Sequence, residues 1–171
     1  MRILFLSPVL PYPPNWGFAT RVYHFLRLLA QKHSVTLLAY ADSTVDRQHV
    51  TNLASFCEAV HTVPPPLAKQ QKRLHQLSSL FSAVSYQWRS HQSEAMQRKL
   101  AELSQQPFDV IQVESSQMAC FDFDHRAALV LDEHNVEYEL LYRTFQTETS
   151  PLRRAYNWIE FSKFKREEIS A

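Results

Sequence analysis

Three short segments of this chain carry side chains that could hold a polar ligand, and each one follows a predicted strand. They are Asn15-Trp16-Gly17-Phe18, Glu114-Ser115-Ser116 and Glu133-His134-Asn135. Together they offer backbone amides at a helix start, hydroxyl and carboxylate groups, and one imidazole. Groups of these types can hydrogen-bond the hydroxyls of a sugar or the oxygens of a phosphate.

His134 is the candidate catalytic residue because it directly follows an apolar strand, between a carboxylate and an amide. From there its ring can hydrogen-bond a hydroxyl of a bound sugar or polarise a phosphate. The alternative is that it caps the next helix or binds a loop carbonyl. Glu114 could likewise orient a substrate hydroxyl or accept hydrogen bonds from a neighbouring helix start. Ser115 and Asn135 complete the predicted substrate-binding group on this side.

Gly17 is the only glycine among the 171 residues, whereas glycine makes up about 7% of an average protein. It lies where the first helix is predicted to begin, and the free amides and positive dipole end of a helix start favour an anion. We therefore predict that the backbone around Gly17, with Asn15 and Phe18, contacts a phosphate or a sugar. Asn15 is also the predicted cap of this helix. The alternative is that Gly17 only supplies a positive φ for the turn.

Several classes of site are not indicated by the sequence. It contains no P-loop, no GxGxxG fingerprint, no GxSxG elbow and no Cys/His spacing suited to a metal. These absences argue against nucleotide hydrolysis, ordinary dinucleotide binding and serine hydrolysis, and we predict neither a metal nor a cofactor. The 18 basic and 17 acidic residues leave a net charge of +1, which gives no overall attraction toward nucleic acid.

The segments that position these residues alternate between strands and helices. Strands are predicted over 2–7, 34–40, 59–63, 108–114 and 128–132. Helices are predicted over 18–29, 44–56, two parts of 67–103, 115–121, from 136 through 142 or beyond, and 151–169. Such alternation predicts an α/β fold in a single domain over 1–171, a doubly wound parallel sheet covered on both faces. Ligands bind such sheets at the carboxyl ends of the strands, where the three segments should converge.

Two features of the sequence bear on location. Cys57 and Cys120 lie far apart in apolar settings without a signal peptide, which fits a reducing cytoplasm. The stretch 67–99 carries the basic residues Lys69, Lys72, Arg73, Arg89, Arg98 and Lys99 and the single acidic residue Glu94. Such a surface could lie on the inner face of an anionic membrane as a peripheral contact, or it could simply be a solvated face.

Three phrases of the sequence stand out together, in the order MRILFLSPVLPYPPNWGFATRVYHFLRLLAQKHSVTLLAY, FDVIQVESSQMA and VLDEHNVEYEL. In this order they resemble the N-terminal domain of a family 4 glycosyltransferase of the GT-B fold. The resemblance implies a Rossmann-like domain that mainly holds the acceptor, while a second, similar domain binds the nucleotide sugar and catalysis takes place between the two.

The resemblance also implies roles for individual residues. Gly17 would lie in a loop whose backbone approaches the donor phosphates, and His134 would face the transferring sugar. Two positions depart from the family pattern, since Phe18 stands where a second glycine is common and Glu114 where a histidine is common. A phenylalanine would limit how closely a phosphate approaches its amide.

The function that the resemblance implies is sugar transfer in polysaccharide biosynthesis. A retaining glycosyltransferase of this kind moves a sugar, without a metal, from a nucleotide-diphosphate sugar to a glycan or lipid-linked acceptor. Because relatives carry a C-terminal donor-binding domain after this one, we expect the chain to be the acceptor-side half of an enzyme, inactive alone. The alternatives are a non-catalytic sugar-binding or partner-docking module and, with less support, a GT-B sugar-nucleotide epimerase.

Overall fold

Five parallel strands form one sheet in the computed structural model, which describes residues 1–42, 47–66, 76 and 78–170. The strands are β1 (Arg2–Ser7), β2 (Ser34–Tyr40), β3 (Ala59–Val63), β4 (Val110–Glu114) and β5 (Ala128–Asp132). Their spatial order is β3-β2-β1-β4-β5, and every neighbouring pair is parallel. The predicted parallel α/β sheet is therefore confirmed, and its strand order reverses direction between β1 and β4, as in Rossmann-like folds.

Helices connect the strands largely as the apolar periodicity predicts. The described helices are α1 (Gly17–Leu29), α2 (Arg47–Ala54), α3 (Tyr86–Arg89), α4 (Glu94–Leu103), α5 (Glu137–Thr147) and α6 (Pro151–Ser170), with a 3-10 helix over Ser116–Cys120. Serine hydroxyls cap α3 and α4, because Ser85 accepts from the amide of Trp88 and Ser93 from that of Met96. None of these helices is long and apolar enough to cross a membrane.

The structure describes only part of the helix that is predicted after residue 67. Leu67, Leu74 and Leu77, three of its predicted apolar positions, lie outside the described residues. Phe81, the fourth, is predicted on the buried face but is 95% exposed. That prediction is wrong because the chain leaves the helix at Leu80 and turns, so Phe81 no longer follows the helical period.

The core lies on both sides of the sheet because alternate residues of a strand face opposite ways. Phe5 of β1 belongs to a buried cluster with Val22 and Leu26 of α1. Its neighbour Leu6 belongs to a second buried cluster, with Met96 of α4. The continuous apolar run of β1 is thus explained by burial on both faces, which fixes the end of β1 in the middle of the sheet.

β5 lies at the edge of the sheet and departs from the predicted burial. Leu129 is 51% exposed and Val130 is 42% exposed, although both belong to an apolar run predicted to be covered on both faces. Among the described residues β5 pairs with β4 alone, so its side chains have sheet neighbours on one side only. The carboxyl end of β5 is nevertheless held in register with β4, with Asp132 opposite Glu114.

Candidate functional site

A cleft of about 640 Å³ lies where β1, β4 and β5 end. Its lining residues are Pro8, Val9, Trp16, Gly17, Phe18, Arg21, His91, Ser115, Gln117, His134, Asn135 and Glu137. The predicted site residues Gly17, Phe18, Ser115, His134 and Asn135 are among them. The three segments that carry the predicted chemistry therefore meet at one place, because the carboxyl ends of parallel strands share an edge of the sheet.

The ring of His134 is held by Glu114. Its Nε2 lies 2.7 Å from Oε2 of Glu114, a residue with no exposed surface at the end of β4. The side-chain amide of Gln112 donates a second hydrogen bond to this carboxylate at 3.1 Å. Since a carboxylate oxygen accepts, Nε2 is the donor in this contact, and Nδ1 is the ring nitrogen left for a ligand. Glu114 thus contacts the imidazole and does not itself line the cleft.

Two opposing effects act on the carboxyl group of Glu114. Burial disfavours the charged form and raises its pKa, and the nearby carboxylate of Asp132 acts in the same direction. The hydrogen bonds from His134 and Gln112 favour the charged form and offset part of this rise. A carboxylate that is buried and bonded in this way holds its imidazole partner in one orientation.

An aromatic stack adjoins the imidazole. The ring of Phe18 lies 4.5 Å from that of His134, measured between centroids. The ring of Trp16 in turn stacks on that of Phe18, with the two centroids 5.4 Å apart and the ring planes inclined by 18°. The indole is 52% exposed, so an aromatic face remains open to a ligand at the cleft.

The start of α1 differs from the sequence prediction. Trp16 occupies the N-cap position and no side chain in the described part of the structure caps the helix, so the prediction that Asn15 is the cap is wrong. Asn15 lies one residue too early, is exposed, does not line the cleft, and donates its backbone N–H to the carbonyl of Pro13 at 2.9 Å. The first-turn amides of α1 are therefore left without a side-chain acceptor, beside the cleft.

Gly17 has an ordinary backbone conformation. Its φ is not positive, so the alternative explanation that it supplies a left-handed turn is wrong. A Cβ built on Gly17 would meet no atom within 4 Å. Packing within the protein therefore does not require a glycine at this position. The open space beside its backbone would allow a ligand in the cleft to approach closely.

Ser115 has a strained backbone at the exit of β4. Its φ is 80° and its ψ is 136°, a region that side-chain-bearing residues rarely adopt. Its hydroxyl accepts a long hydrogen bond, 3.4 Å, from the amide of Gln117 at the start of the 3-10 helix. Strain of this kind costs about 1–3 kcal/mol and concentrates at functional sites.

Arg21 bridges α1 and the end of β5. Although the helical pattern places it on the solvent face, its Nη2 lies 2.7 Å from each carboxylate oxygen of Asp132. Ligand atoms of Glu114, Asp132 and His134 lie within 4.8 Å of one another, a grouping that could hold a metal ion. Arg21 and His134 already occupy the oxygens concerned, so a cation would have to displace both contacts.

Glu133 is not among the residues that line the cleft. Its Oε1 is buried and has no hydrogen-bond partner among the described residues. Burial, together with the negative charge of Glu168, raises the pKa of Glu133 to about 7. Glu168 itself accepts the backbone N–H groups of Glu137 and Tyr138 at 2.9 and 2.8 Å, and so caps α5.

Four residues at the cleft or its edge are not among the predicted site residues. Trp16 could have been predicted, since it is an aromatic residue next to the only glycine of the sequence. His91 and Gln117 carried no such signal, because no motif contains them and only the packing of α3 and the 3-10 helix brings them to the cleft. Arg21 is exposed, as the helical pattern predicts, and its long side chain reaches back to the sheet edge.

In comparisons with known proteins, no family model matches this sequence, and no curated protein or solved structure matches it at a significant level.

Proposed function

We propose that this chain is the acceptor-binding domain of a retaining glycosyltransferase that uses a nucleotide-diphosphate sugar and acts on a glycan or lipid-linked acceptor. The observation that carries the proposal is the arrangement of His134, whose ring is oriented by the buried Glu114 and lies against the stack formed by Phe18 and the exposed Trp16. An oriented imidazole beside an open aromatic face suits a ligand that has both hydroxyl groups and an apolar ring face.

The cleft offers distinct contacts to a sugar. The indole of Trp16 can cover the apolar face of a pyranose ring, since aromatic side chains supply large apolar contact area. Asn135 and Ser115 line the same cleft and offer amide and hydroxyl groups to the ring hydroxyls. Nδ1 of His134 can accept a hydrogen bond from the acceptor hydroxyl that attacks the donor sugar.

Sugar transfer itself requires more than this cleft. The donor diphosphate, the acceptor hydroxyl and the protein dipoles must be assembled together in the transition state. In the proposed enzyme a second domain binds the nucleotide sugar across the cleft, and the free amides of the first turn of α1 face the departing diphosphate. The free thiols of Cys57 and Cys120 support placing this enzyme in a reducing compartment such as the cytoplasm.

Saccharide binding to the isolated chain is the experiment that tests the proposal. We would label the protein with nitrogen-15, add methyl glucoside, methyl mannoside or methyl galactoside, and follow backbone amide shifts together with tryptophan fluorescence. We expect at least one saccharide to shift the amides of Gly17, Ser115 and Asn135. No shift in the cleft with any saccharide at millimolar concentration would contradict the proposal.

Two variants separate a site effect from a general one. His134→Ala should lower saccharide affinity about tenfold, since it removes one hydrogen bond to the ligand and the support of the stack. His125→Ala is the matched control, because His125 is exposed and outside the cleft, and should leave affinity unchanged. Saccharide binding without transfer in the presence of a donor-binding domain would favour the alternative of a sugar-binding module.

A further inference from the structure

The outward side of α6 combines apolar and basic residues. Its exposed apolar members are Leu152, Trp158, Ile159 and Ile169, and its exposed basic members are Arg154, Lys165 and Arg166. We call these seven residues the α6 stripe. They recur at helical spacing along one side of a 20-residue helix, which is about 30 Å long at 1.5 Å per residue.

The acidic residues of α6 are turned the other way. Glu160 accepts hydrogen bonds from the hydroxyl of Ser79 at 2.8 Å and from the amide of Tyr86 at 2.5 Å. Glu167 accepts from the backbone N–H of Ser85 at 2.8 Å. These two carboxylates hold α6 against α3 and the turn before it, and neither adds negative charge to the outer stripe.

Glu168, the third acidic residue of α6, is also used inward. It caps α5 through the amides of Glu137 and Tyr138 and accepts a hydrogen bond from the Ser116 hydroxyl at 3.1 Å. All of the acidic side chains of α6 therefore make internal contacts, whereas four of its basic residues are exposed, namely Arg153 and the three in the stripe. α6 also buries Phe161 and Phe164 inward, as a usual surface helix does, but its outer side lacks the acidic residues that such a helix presents to water beside its basic ones.

The neighbouring face of α5 extends this surface. A cleft of about 630 Å³ runs between α5 and α6, and Tyr142, Arg143, Trp158 and Lys165 contribute to its lining. Tyr142 and Trp158 are 38% and 48% exposed. The acidic group on this side is Glu139, which lies 3.8 Å from Arg143 and is thereby partly neutralised.

We propose that the α6 stripe docks this protein on an anionic phospholipid bilayer. The Trp and aliphatic side chains of the stripe can enter the headgroup region of a bilayer, while the long stems of Lys and Arg keep their charges at the anionic headgroups. Basic residues near an anionic membrane surface are attracted to it, and salt screens this attraction. The net charge of the whole chain is only +1, so the attraction arises from this local surface rather than from the protein as a whole.

This surface is distinct from the one predicted over 67–99. Lys69, Lys72 and Arg73, on which that prediction depends, lie outside the described residues. Lys99, a described member, lies 2.8 Å from Glu102 and is partly neutralised by it. The 67–99 surface stays a prediction. Docking through the α6 stripe is also independent of sugar transfer, since no residue of the stripe lines the ligand cleft.

Vesicle sedimentation tests the proposal. The whole chain would be incubated with vesicles of phosphatidylcholine alone and with vesicles containing one third phosphatidylglycerol, at low and high salt. We expect binding only to the anionic vesicles, with a blue shift of tryptophan fluorescence, and release as salt is raised. Absence of binding to the anionic vesicles, or equal binding to the neutral ones, would overturn the proposal.

A charge-reversal pair locates the binding surface. Lys165→Glu with Arg166→Glu should lower the vesicle partition coefficient at least about tenfold. Arg27→Glu with Lys32→Glu makes the same change in net charge at exposed residues away from α6 and should have little effect. Equal losses in both double variants would mean that net charge alone is responsible, which would overturn the assignment to α6.

A second double variant controls for misfolding of the first. Lys165→Glu removes a contact within the protein, because Nζ of Lys165 lies 5.3 Å from the ring centroid of Tyr138. Leu152→Gln with Ile169→Gln changes side chains that are 83% and 68% exposed, so we expect the fold to be retained. This variant should also weaken vesicle binding, and unchanged binding would contradict insertion of the stripe. Retention of the wild-type chain on a polyglutamate column without vesicle binding would replace the bilayer with an acidic polypeptide as the partner.

Discussion

Nε2 of His134 lies 2.7 Å from the carboxylate of Glu114, although 20 residues separate them in the chain. The contact exists because β4 and β5 are paired in register, with Glu114 opposite Asp132, so the residue two positions after β5 reaches the end of β4. Because Glu114 is buried and does not line the cleft, it can act on a ligand there only by positioning His134.

Removal of Glu114 should cost both stability and ligand affinity. Glu114→Ala leaves the polar groups of His134 and Gln112 without their partner, and we expect a loss of about 1–3 kcal/mol in the free energy of unfolding. Urea unfolding monitored by circular dichroism measures this change. Glu102→Ala is the control, since Glu102 is exposed and forms a surface ion pair with Lys99; solvent screens such a pair, so its loss should change stability much less than the loss of Glu114.

Strain at Ser115 makes glycine the better replacement there. Ser115→Gly and Ser115→Ala both remove the hydroxyl, but only glycine adopts a φ of 80° without a steric penalty. We expect Ser115→Gly to be more stable than Ser115→Ala by about 1 kcal/mol, after allowing for the greater freedom of glycine in the unfolded chain. Thermal unfolding of the two variants compares them directly, and equal stability would argue against backbone strain.

Substitution of Gly17 should separate stability from binding. Because Gly17 has no positive φ and its Cβ would meet no atom within 4 Å, Gly17→Ala should leave stability unchanged or raise it by up to about 1 kcal/mol. A ligand that approaches this backbone closely would bind the variant less tightly. A large loss of stability in urea unfolding would contradict the observed conformation of this turn.

The carboxyl group of Glu133 should make stability depend on pH. Its pKa in the folded protein is raised to about 7 from an ordinary 4.5, so the folded state binds the proton more tightly than the unfolded state. Its contribution to stability is therefore fully present below the unfolded pKa and is lost as pH rises through about 7. The melting temperature of Glu133→Gln should accordingly exceed that of the wild type at about pH 8, and most of this difference should disappear at about pH 5. A pH-independent difference would show that Glu133 does not titrate in this range.

Truncation of α1 residues tests the packing of the first helix. The periodic pattern suggests Leu29 as an inner position, but Leu29 is only partly buried, whereas Leu26 has no exposed surface. Leu26→Ala should therefore cost about 2–5 kcal/mol in unfolding free energy, and Leu29→Ala should cost less. Urea unfolding of both variants orders them, and a greater cost at Leu29 would contradict the helix orientation.

The strand and helix pattern could be predicted from the sequence because it rests on local physics. The strand at Arg2–Ser7 follows from an apolar run stopped by Pro8, and its burial on both faces follows from the lack of alternation. Alternation of such strands with amphipathic helices led to the parallel sheet. The rule that ligands bind at strand carboxyl ends then placed Gly17, Ser115 and His134 in one cleft without any knowledge of the packing.

Tertiary structure alone decided which partner each side chain takes. Nothing in the local sequence pairs Glu114 with His134 or Arg21 with Asp132, because these contacts depend on strand register and on the reach of a long side chain across the sheet edge. The spacing of apolar residues indicates which face of a helix or strand is buried. The hydrophobic effect behind this burial is not directional, so it does not specify which polar groups pair. Hydrogen bonds and ion pairs depend on atomic distance and angle, and only the folded chain sets these.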